Sequence, residues 1–197
     1  MPDILLIITL LVWIPLVPLR LMIQAGIGLW KRVGDFSYFI FFLYWAMLDL
    51  VILAYRDPLS GYRFQTFPLA TALGAVLIVL SILFAYWTAQ TLGLVTLSTR
   101  PQVNPRKAAA SLIVSGPYCY LRHPFYFAEW FLLLGLSLVT GSWPVIGLAL
   151  ATMVIDPIVT LFEEKELVER FGGAYRGYQK KVPRLLPTFS RIPKGRS

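Results

Sequence analysis

Five apolar runs dominate this chain, and they narrow its fold more than any other feature. They cover about Ile4–Leu19 with an extension toward Leu29, then Phe36–Tyr55, Phe67–Leu92, Phe125–Thr140 and Trp143–Phe162. Inside a bilayer every backbone N–H and C=O must be paired within the protein, which leaves only helices or closed barrels. Long continuous apolar runs without period-two alternation specify helices. Charged residues make up 14% of the sequence, far below the roughly 25% of a soluble domain. The expected fold is therefore all-α, a polytopic membrane helical bundle of about five transmembrane helices in one integral membrane domain. Gly141-Ser142, between the last two runs, leaves room only for a helical hairpin. Pro15 and Pro18 are expected to bend the first span and Pro157 the last. Arg56-Asp57-Pro58-Leu59-Ser60-Gly61 reads as a turn from its proline, serine and glycine.

The basic residues give the chain a direction. Arg20, Lys31 and Arg32 follow the first run, and Arg100, Arg106, Lys107 and Arg122 precede the fourth. Nine more follow the fifth, from Lys165 to Arg196. The remaining loops hold Arg56 and Arg63 or none. The positive-inside rule then places the N-terminus outside and the C-terminus in the cytoplasm, a parity that five spans satisfy. The first run is preceded by Asp3 rather than by a basic segment, so it is expected to be a retained span rather than a cleaved leader. Residues 188–197 read as a loose basic tail drawn to anionic lipid. No nucleic-acid partner is expected.

One cysteine (Cys119) and one histidine (His123) exclude an internal disulfide and any cysteine-based or multi-histidine metal site. The candidate chemistry lies instead in two polar segments that frame the last hairpin. The first is Gly116-Pro117-Tyr118-Cys119-Tyr120-Leu121-Arg122-His123-Pro124-Phe125-Tyr126. The second begins at Glu163-Glu164-Lys165-Glu166-Leu167 and continues through Phe171-Gly172, Tyr175 and Tyr178 to Val182-Pro183-Arg184-Leu185-Leu186-Pro187.

Charge beside a membrane span is costly to desolvate and needs a reason. Pro124 biases His123 away from helix, so an extended entry to the fourth span is expected, with Arg122, His123 and the helix amides forming a positive mouth suited to a carboxylate. Adjacent helical residues point about 100° apart, so Glu163 and Glu164 cannot both face one substrate atom. One can meet an ammonium or hydroxyl while the other supports it. The plainer alternatives are a basic anchor, a helix-starting proline, interfacial tyrosines and headgroup-solvated glutamates.

Three acids fall inside spans. Glu129 lies one turn beyond Tyr126 and nearest the polar segments, which makes it the first functional candidate. Asp49 and Asp156 are expected to hydrogen-bond between helices. After the fifth span, Leu167, Phe171, Tyr175 and Tyr178 recur at steps of three and four, as in an amphipathic helix. Gly172-Gly173 is expected to stop that helix and start another.

Taken together, Gly116-Pro117-Tyr118, Arg122-His123-Pro124, Tyr126, Glu163-Glu164, Leu167, Phe171-Gly172, Tyr175, Tyr178, Val182-Pro183-Arg184 and Pro187 resemble the isoprenylcysteine carboxyl methyltransferase and phospholipid N-methyltransferase family. The resemblance covers roughly residues 88–187; the first two spans match nothing beyond being apolar. It implies a small helical membrane enzyme that uses S-adenosylmethionine, with residues 93–187 as the cofactor-binding half.

By the same resemblance, the backbone from Leu112 through Val114 to Gly116 and the Tyr118 ring contact the adenosine end. Arg122, His123 and Tyr126 line the pocket, and Glu163 and Glu164 receive the methionine ammonium. Arg122 and Tyr126, with Glu129 added for its position one turn beyond Tyr126, are the expected catalytic residues, and the acceptor is expected to be a lipophilic molecule or membrane lipid. No metal is implied.

Many relatives carry an arginine shortly before the paired glutamates, whereas here Asp156-Pro157-Ile158-Val159-Thr160-Leu161-Phe162 has none. That departure puts a carboxylate acceptor in doubt. The connector Thr99-Arg100-Pro101-Gln102-Val103-Asn104-Pro105 reads as a lid. Two rivals remain: an NADPH-dependent membrane sterol or steroid reductase, whose phosphates the glutamates would repel, and a non-catalytic membrane subunit that retains the fold.

Overall fold

The structure is a computed structural model that describes residues 2–92 and 112–187. The expected lid at 99–105 and basic tail at 188–197 lie outside the described residues. The described chain is helical: α1 (Pro2–Ala25), α2 (Ile27–Val33), α3 (Ser37–Ala54), α4 (Arg56–Gly61), α5 (Pro68–Leu92), α6 (Pro124–Thr140), α7 (Trp143–Phe171) and α8 (Gly173–Gln179). Four stretches are long and apolar enough to cross a membrane: Asp3–Ala25, Ile27–Ala54, Pro68–Leu92 and Trp143–Phe171. The shorter apolar helix Pro124–Thr140 is the fifth expected run. Its 17 residues cover about 26 Å, close to the roughly 30 Å hydrocarbon layer.

Three boundaries differ from the sequence reading. Residues Arg56–Gly61 form a short helix rather than a turn. Pro58 lies in its first turn, where no backbone N–H is needed, and Asp57 also suits that end. The last run does not stop at Phe162, because α7 continues unbroken to Phe171. The span and the amphipathic segment are thus one helix, closed by Gly172 and followed by α8 as the glycine pair implied. The first run continues to Ala25, within its expected extension toward Leu29, and the loop expected to hold Arg20 is instead part of α1.

The α6–α7 hairpin turns at Gly141, whose φ of 63° suits glycine, and Ser142 caps α7 by accepting from the Val145 N–H. Residues 62–64 secure this turn: Phe64 N–H donates to the Gly141 carbonyl at 2.7 Å, and Trp143 N–H to that of Tyr62 at 3.1 Å. Leu6, Leu10, Ile52, Leu133, Leu136, Val145 and Ala149 pack the core nearby. Apolar side chains such as Phe42, Leu50, Leu73, Leu80 and Val154 stay exposed, as a lipid-facing surface requires.

Helices α5 and α6 pack tightly where Gly74 meets Gly135. A Cβ on either would lie 2.7 Å from the other's carbonyl oxygen. Small residues at such crossings let membrane helices pack backbone to backbone. Gly135→Val is therefore expected to lower stability by about 1–3 kcal/mol through overpacking, measured as a lower unfolding midpoint in detergent.

Candidate functional site at the junction of α6, α7 and the C-terminal segment

At the end of the bundle away from the hairpin turn, the extended residues before α6 meet the polar end of α7. His123, at φ −124° and ψ 68°, is not helical and stands immediately before Pro124, the first residue of α6. Its backbone and that of Arg122 pair with the C-terminal segment: Arg122 N–H donates to the Pro183 carbonyl at 2.9 Å, and His123 N–H to that of Arg184 at 3.1 Å. The Val-Pro-Arg stretch thus holds the α6 entry in place. Tyr178 contributes a third tie, its hydroxyl donating to the Tyr118 carbonyl at 2.7 Å. Tyr175, Tyr178 and Val182 form a small apolar core beneath, with Leu112, Leu167 and Phe171 around it.

The adjacent glutamates divide their work around His123. Glu164 is 4% exposed. It meets Arg122 Nη2 at 2.9 Å, His123 Nε2 at 3.2 Å, Gln179 Nε2 at 3.0 Å and Arg184 Nη2 at 3.1 Å. Glu163 keeps 19% of its side chain exposed and meets His123 Nδ1 at 3.4 Å. It also accepts from the Tyr126 hydroxyl at 2.7 Å and from Gln24 Nε2 of α1 at 3.3 Å. The roughly 100° between neighbouring helical side chains lets one pair of carboxylates bracket both nitrogens of a single imidazole. Glu164 is the supporting member and Glu163 the more open one.

Burial opposes charging His123, but hydrogen bonds to Glu163 and Glu164 and their negative charge outweigh it and raise its pKa above the usual histidine value. An imidazolium with both N–H groups donating fits the geometry. Because the folded value is raised, its stabilisation is complete below the ordinary histidine pKa and is lost as pH rises through the raised value. The unfolding midpoint should therefore fall across that alkaline interval, and His123→Gln should flatten the pH profile. Burial, then the charge of Glu163, push the Tyr118 hydroxyl well above its ordinary pKa, so it stays neutral.

A second polar cluster lies deeper. Arg20 Nη1 of α1 is 2.6 Å from Glu129 Oε2 and 3.4 Å from Asp156 Oδ1. Trp13 Nε1 donates to Glu129 Oε1 at 2.7 Å, and Trp130 Nε1 to Asp156 Oδ2 at 2.8 Å. The Arg20 guanidinium lies over the Tyr126 ring, 5.1 Å from its centroid, so Tyr126 joins this cluster to Glu163.

The candidate residues therefore converge unevenly. Arg122, His123, Tyr126, Glu163 and Glu164 share one network, and Glu129 joins it through Arg20. Both terminal nitrogens of Arg122 are engaged, one by Glu164 and the other by the Gln179 carbonyl at 3.1 Å. Leu112 packs against the buried tyrosines. Val114 is exposed and its carbonyl accepts from the Cys119 thiol at 3.0 Å. Gly116 lies against Thr91 at the end of α5.

Asp156 bonds between helices as expected. Asp49 instead meets Trp45 of its own helix, and its Oδ1 has no hydrogen-bond partner among the described residues. Sequence reasoning missed Trp13, Arg20, Gln24, Gln179 and the role of Arg184. Trp13, Arg20 and Gln24 fall on one face of α1 at steps of seven and four, a polar stripe within an apolar helix that could have drawn attention.

The geometry can be set beside known proteins. The chain is 40% identical over 76 residues to a methanethiol S-methyltransferase of Pseudomonas deceptionensis, a stretch that is 39% of this chain and 28% of that protein. It is 35% identical over 79 residues to a protein-S-isoprenylcysteine O-methyltransferase of Schizosaccharomyces pombe, covering 39% of this chain and 33% of that one. A cobalt-zinc-cadmium resistance protein, CzcN, of Cupriavidus metallidurans is 35% identical over 81 residues, 41% of this chain and 37% of its own. The chain thus spans about a third of the length of these relatives. The phospholipid methyltransferase family matches residues 69–174. That match runs from α5 into α8 and includes Arg122, His123, Tyr126 and both glutamates, the side chains that meet at the mouth of α6. With more than half of its length inside that match, this membrane-helical chain belongs to the phospholipid methyltransferase family.

Proposed function

We propose that the chain is an S-adenosylmethionine-dependent methyltransferase whose acceptor is lipophilic and reaches the site from the bilayer, with the cofactor drawn from the cytoplasm. The observation that carries this reading is Glu163, a partly open carboxylate held by Tyr126 of α6, by His123 just before that helix and by Gln24 of α1. The donor set fits such a cofactor. Its tail is a zwitterion and its sulfur is cationic, so carboxylates and aromatic faces suit it. Unsatisfied capacity at the junction supports the fit: Arg122 Nε, Arg184 Nε and the Tyr175 hydroxyl are buried without hydrogen-bond partners among the described residues.

In this reading Glu163 binds the ammonium, and Glu164 keeps Arg122, His123 and Arg184 in place around it. The Leu112–Gly116 backbone and the Tyr118 ring face the adenosine end. When bound, S-adenosylmethionine supplies an electrophilic methyl group on a positively charged sulfur. Tyr126 and Glu129 line the reacting end, where the site's main task is to align acceptor and methyl group. Arg122 is a positioning residue, since its terminal nitrogens are already committed. Lipid-facing walls exclude water and admit an apolar acceptor.

The test is transfer of a labelled methyl group from S-adenosylmethionine into the lipid phase by protein in nanodiscs supplied with total membrane lipid. Label is expected in an extractable lipophilic product with the wild type and much less with Glu163→Gln. Equal label in both would remove Glu163 from its assigned role.

A further inference from the structure

The orientation of Glu163 is set in part from outside the family-matched residues. Gln24 of α1 and Tyr126 of α6 both donate to its Oε1, at 3.3 Å and 2.7 Å, whereas Oε2 faces His123 Nδ1 at 3.4 Å. Two donors from different helices on one oxygen fix the plane of the carboxylate and turn Oε2 toward the histidine. Tyr126 lies within residues 69–174 and Gln24 does not.

The backbone around Gln24 is held without its amide. Helix α1 ends at Ala25, and Trp30 of α2 folds back to donate from Nε1 to the Met22 carbonyl at 2.9 Å. Trp30 packs with Leu19, Ile23 and Phe41 in an apolar core of its own. Lys31 reaches Glu166 at 3.5 Å, one turn beyond Glu163 on the same face of α7. The corner between α1 and α2 is thus strapped to the polar end of α7 by contacts that do not involve Gln24. Gln24 is 5% exposed, and an apolar side chain of the same length would fill that place without desolvating an amide. Stability alone does not account for an amide there.

We propose, resting on the methyltransferase reading above, that Gln24 is a positioning residue for the cofactor's ammonium, acting through Glu163. Its amide pins Oε1, so that Oε2 is the oxygen presented to the ammonium. Without it the carboxylate can swing between Tyr126 and His123, and part of the binding free energy goes to reorienting it. The residue serves the amino-acid tail of the ligand and not its adenosine end. The first span is thereby a working part of the site as well as a membrane anchor.

The test is calorimetry on the full-length protein in nanodiscs with two probes, S-adenosylhomocysteine and 5′-methylthioadenosine, which lacks the amino-acid tail. Gln24→Met is expected to weaken S-adenosylhomocysteine about threefold to tenfold and to leave 5′-methylthioadenosine within about twofold. In a Glu163→Gln background the same change should move S-adenosylhomocysteine by no more than about twofold, because the group it acts through has lost its charge. A purely structural role would weaken both probes alike and would persist in that background. Either result overturns the proposal, as does an unchanged S-adenosylhomocysteine affinity in Gln24→Met. If 5′-methylthioadenosine binds too weakly to measure, the Glu163→Gln comparison decides. Gln24→Leu replaces Gln24→Met if the latter does not fold, and loss of folding in both would assign the amide to the fold and overturn the proposal. Wild-type protein that binds S-adenosylhomocysteine as expected, with no change in the variant, removes this inference alone. Folded wild-type protein that binds neither probe removes the methyltransferase reading with it.

Discussion

Glu164→Gln should destabilise the protein by about 3–5 kcal/mol, the usual cost of breaking a buried ion pair from one side. A fall of the unfolding midpoint on the order of 10 °C would follow for a chain of this size. The reason is concentrated at one carboxylate. Glu164 answers Arg122, His123, Gln179 and Arg184, which come from the α6 entry, α8 and the segment after it. A glutamine could keep two hydrogen bonds but would leave Arg122, 9% exposed, without its counter-charge. The damage should be local at first, so amide exchange at residues 112–123 and 175–187 should rise before exchange in α5 or α6. Arg184→Ala, at a side chain 34% exposed, should cost about 1 kcal/mol or less.

Glu163→Gln should do the opposite: leave the fold intact and weaken cofactor binding. Its partners Tyr126 and Gln24 donate to its Oε1, and a glutamine keeps an acceptor oxygen for them. It loses the charge that would face an ammonium and, with it, part of what holds the His123 imidazolium, so a melting-point fall much smaller than that of Glu164→Gln is expected. A charge-assisted hydrogen bond is worth about 1.5–3 kcal/mol, so S-adenosylhomocysteine affinity should fall about tenfold to a hundredfold. Adjacent residues on one helix are thus expected to fail in different ways, one in stability and one in binding. Equal melting points paired with equal affinities would contradict that division.

Much of the C-terminal half was legible because its signals are local. Pro124 announces the start of α6, Gly141-Ser142 the hairpin, and Gly172 the end of α7, each through backbone preferences that a few residues determine. The pairing of His123 with both glutamates was readable only as an expected proximity, since 41 residues separate His123 from Glu164. The contribution of α1 was not legible. Hydropathy carried the first run to Leu19 with an extension toward Leu29, yet Arg20 was counted as a loop charge, whereas its charge is satisfied by Glu129 and Asp156 and it remains helical. The pairing of an arginine inside a span becomes visible only when its partners are brought beside it, and those partners lie more than 100 residues away in sequence. No arginine stands between Asp156 and Glu163, and the guanidinium beside Asp156 is that of Arg20 from α1. Arg184 was named in the second polar segment without a role, and its backbone and side chain both tie the C-terminal segment to the site.

The central claim is that the bracketed His123, with Glu163 open beside it, forms the seat of a sulfonium cofactor. Calorimetric titration of S-adenosylhomocysteine into the folded wild-type protein in nanodiscs tests it most directly. One site per chain, weakened at least tenfold in a Glu163→Gln protein that still folds and melts above Glu164→Gln, is the predicted result. A folded wild-type protein that takes up no S-adenosylhomocysteine, or takes it up equally well without the Glu163 charge, would contradict it.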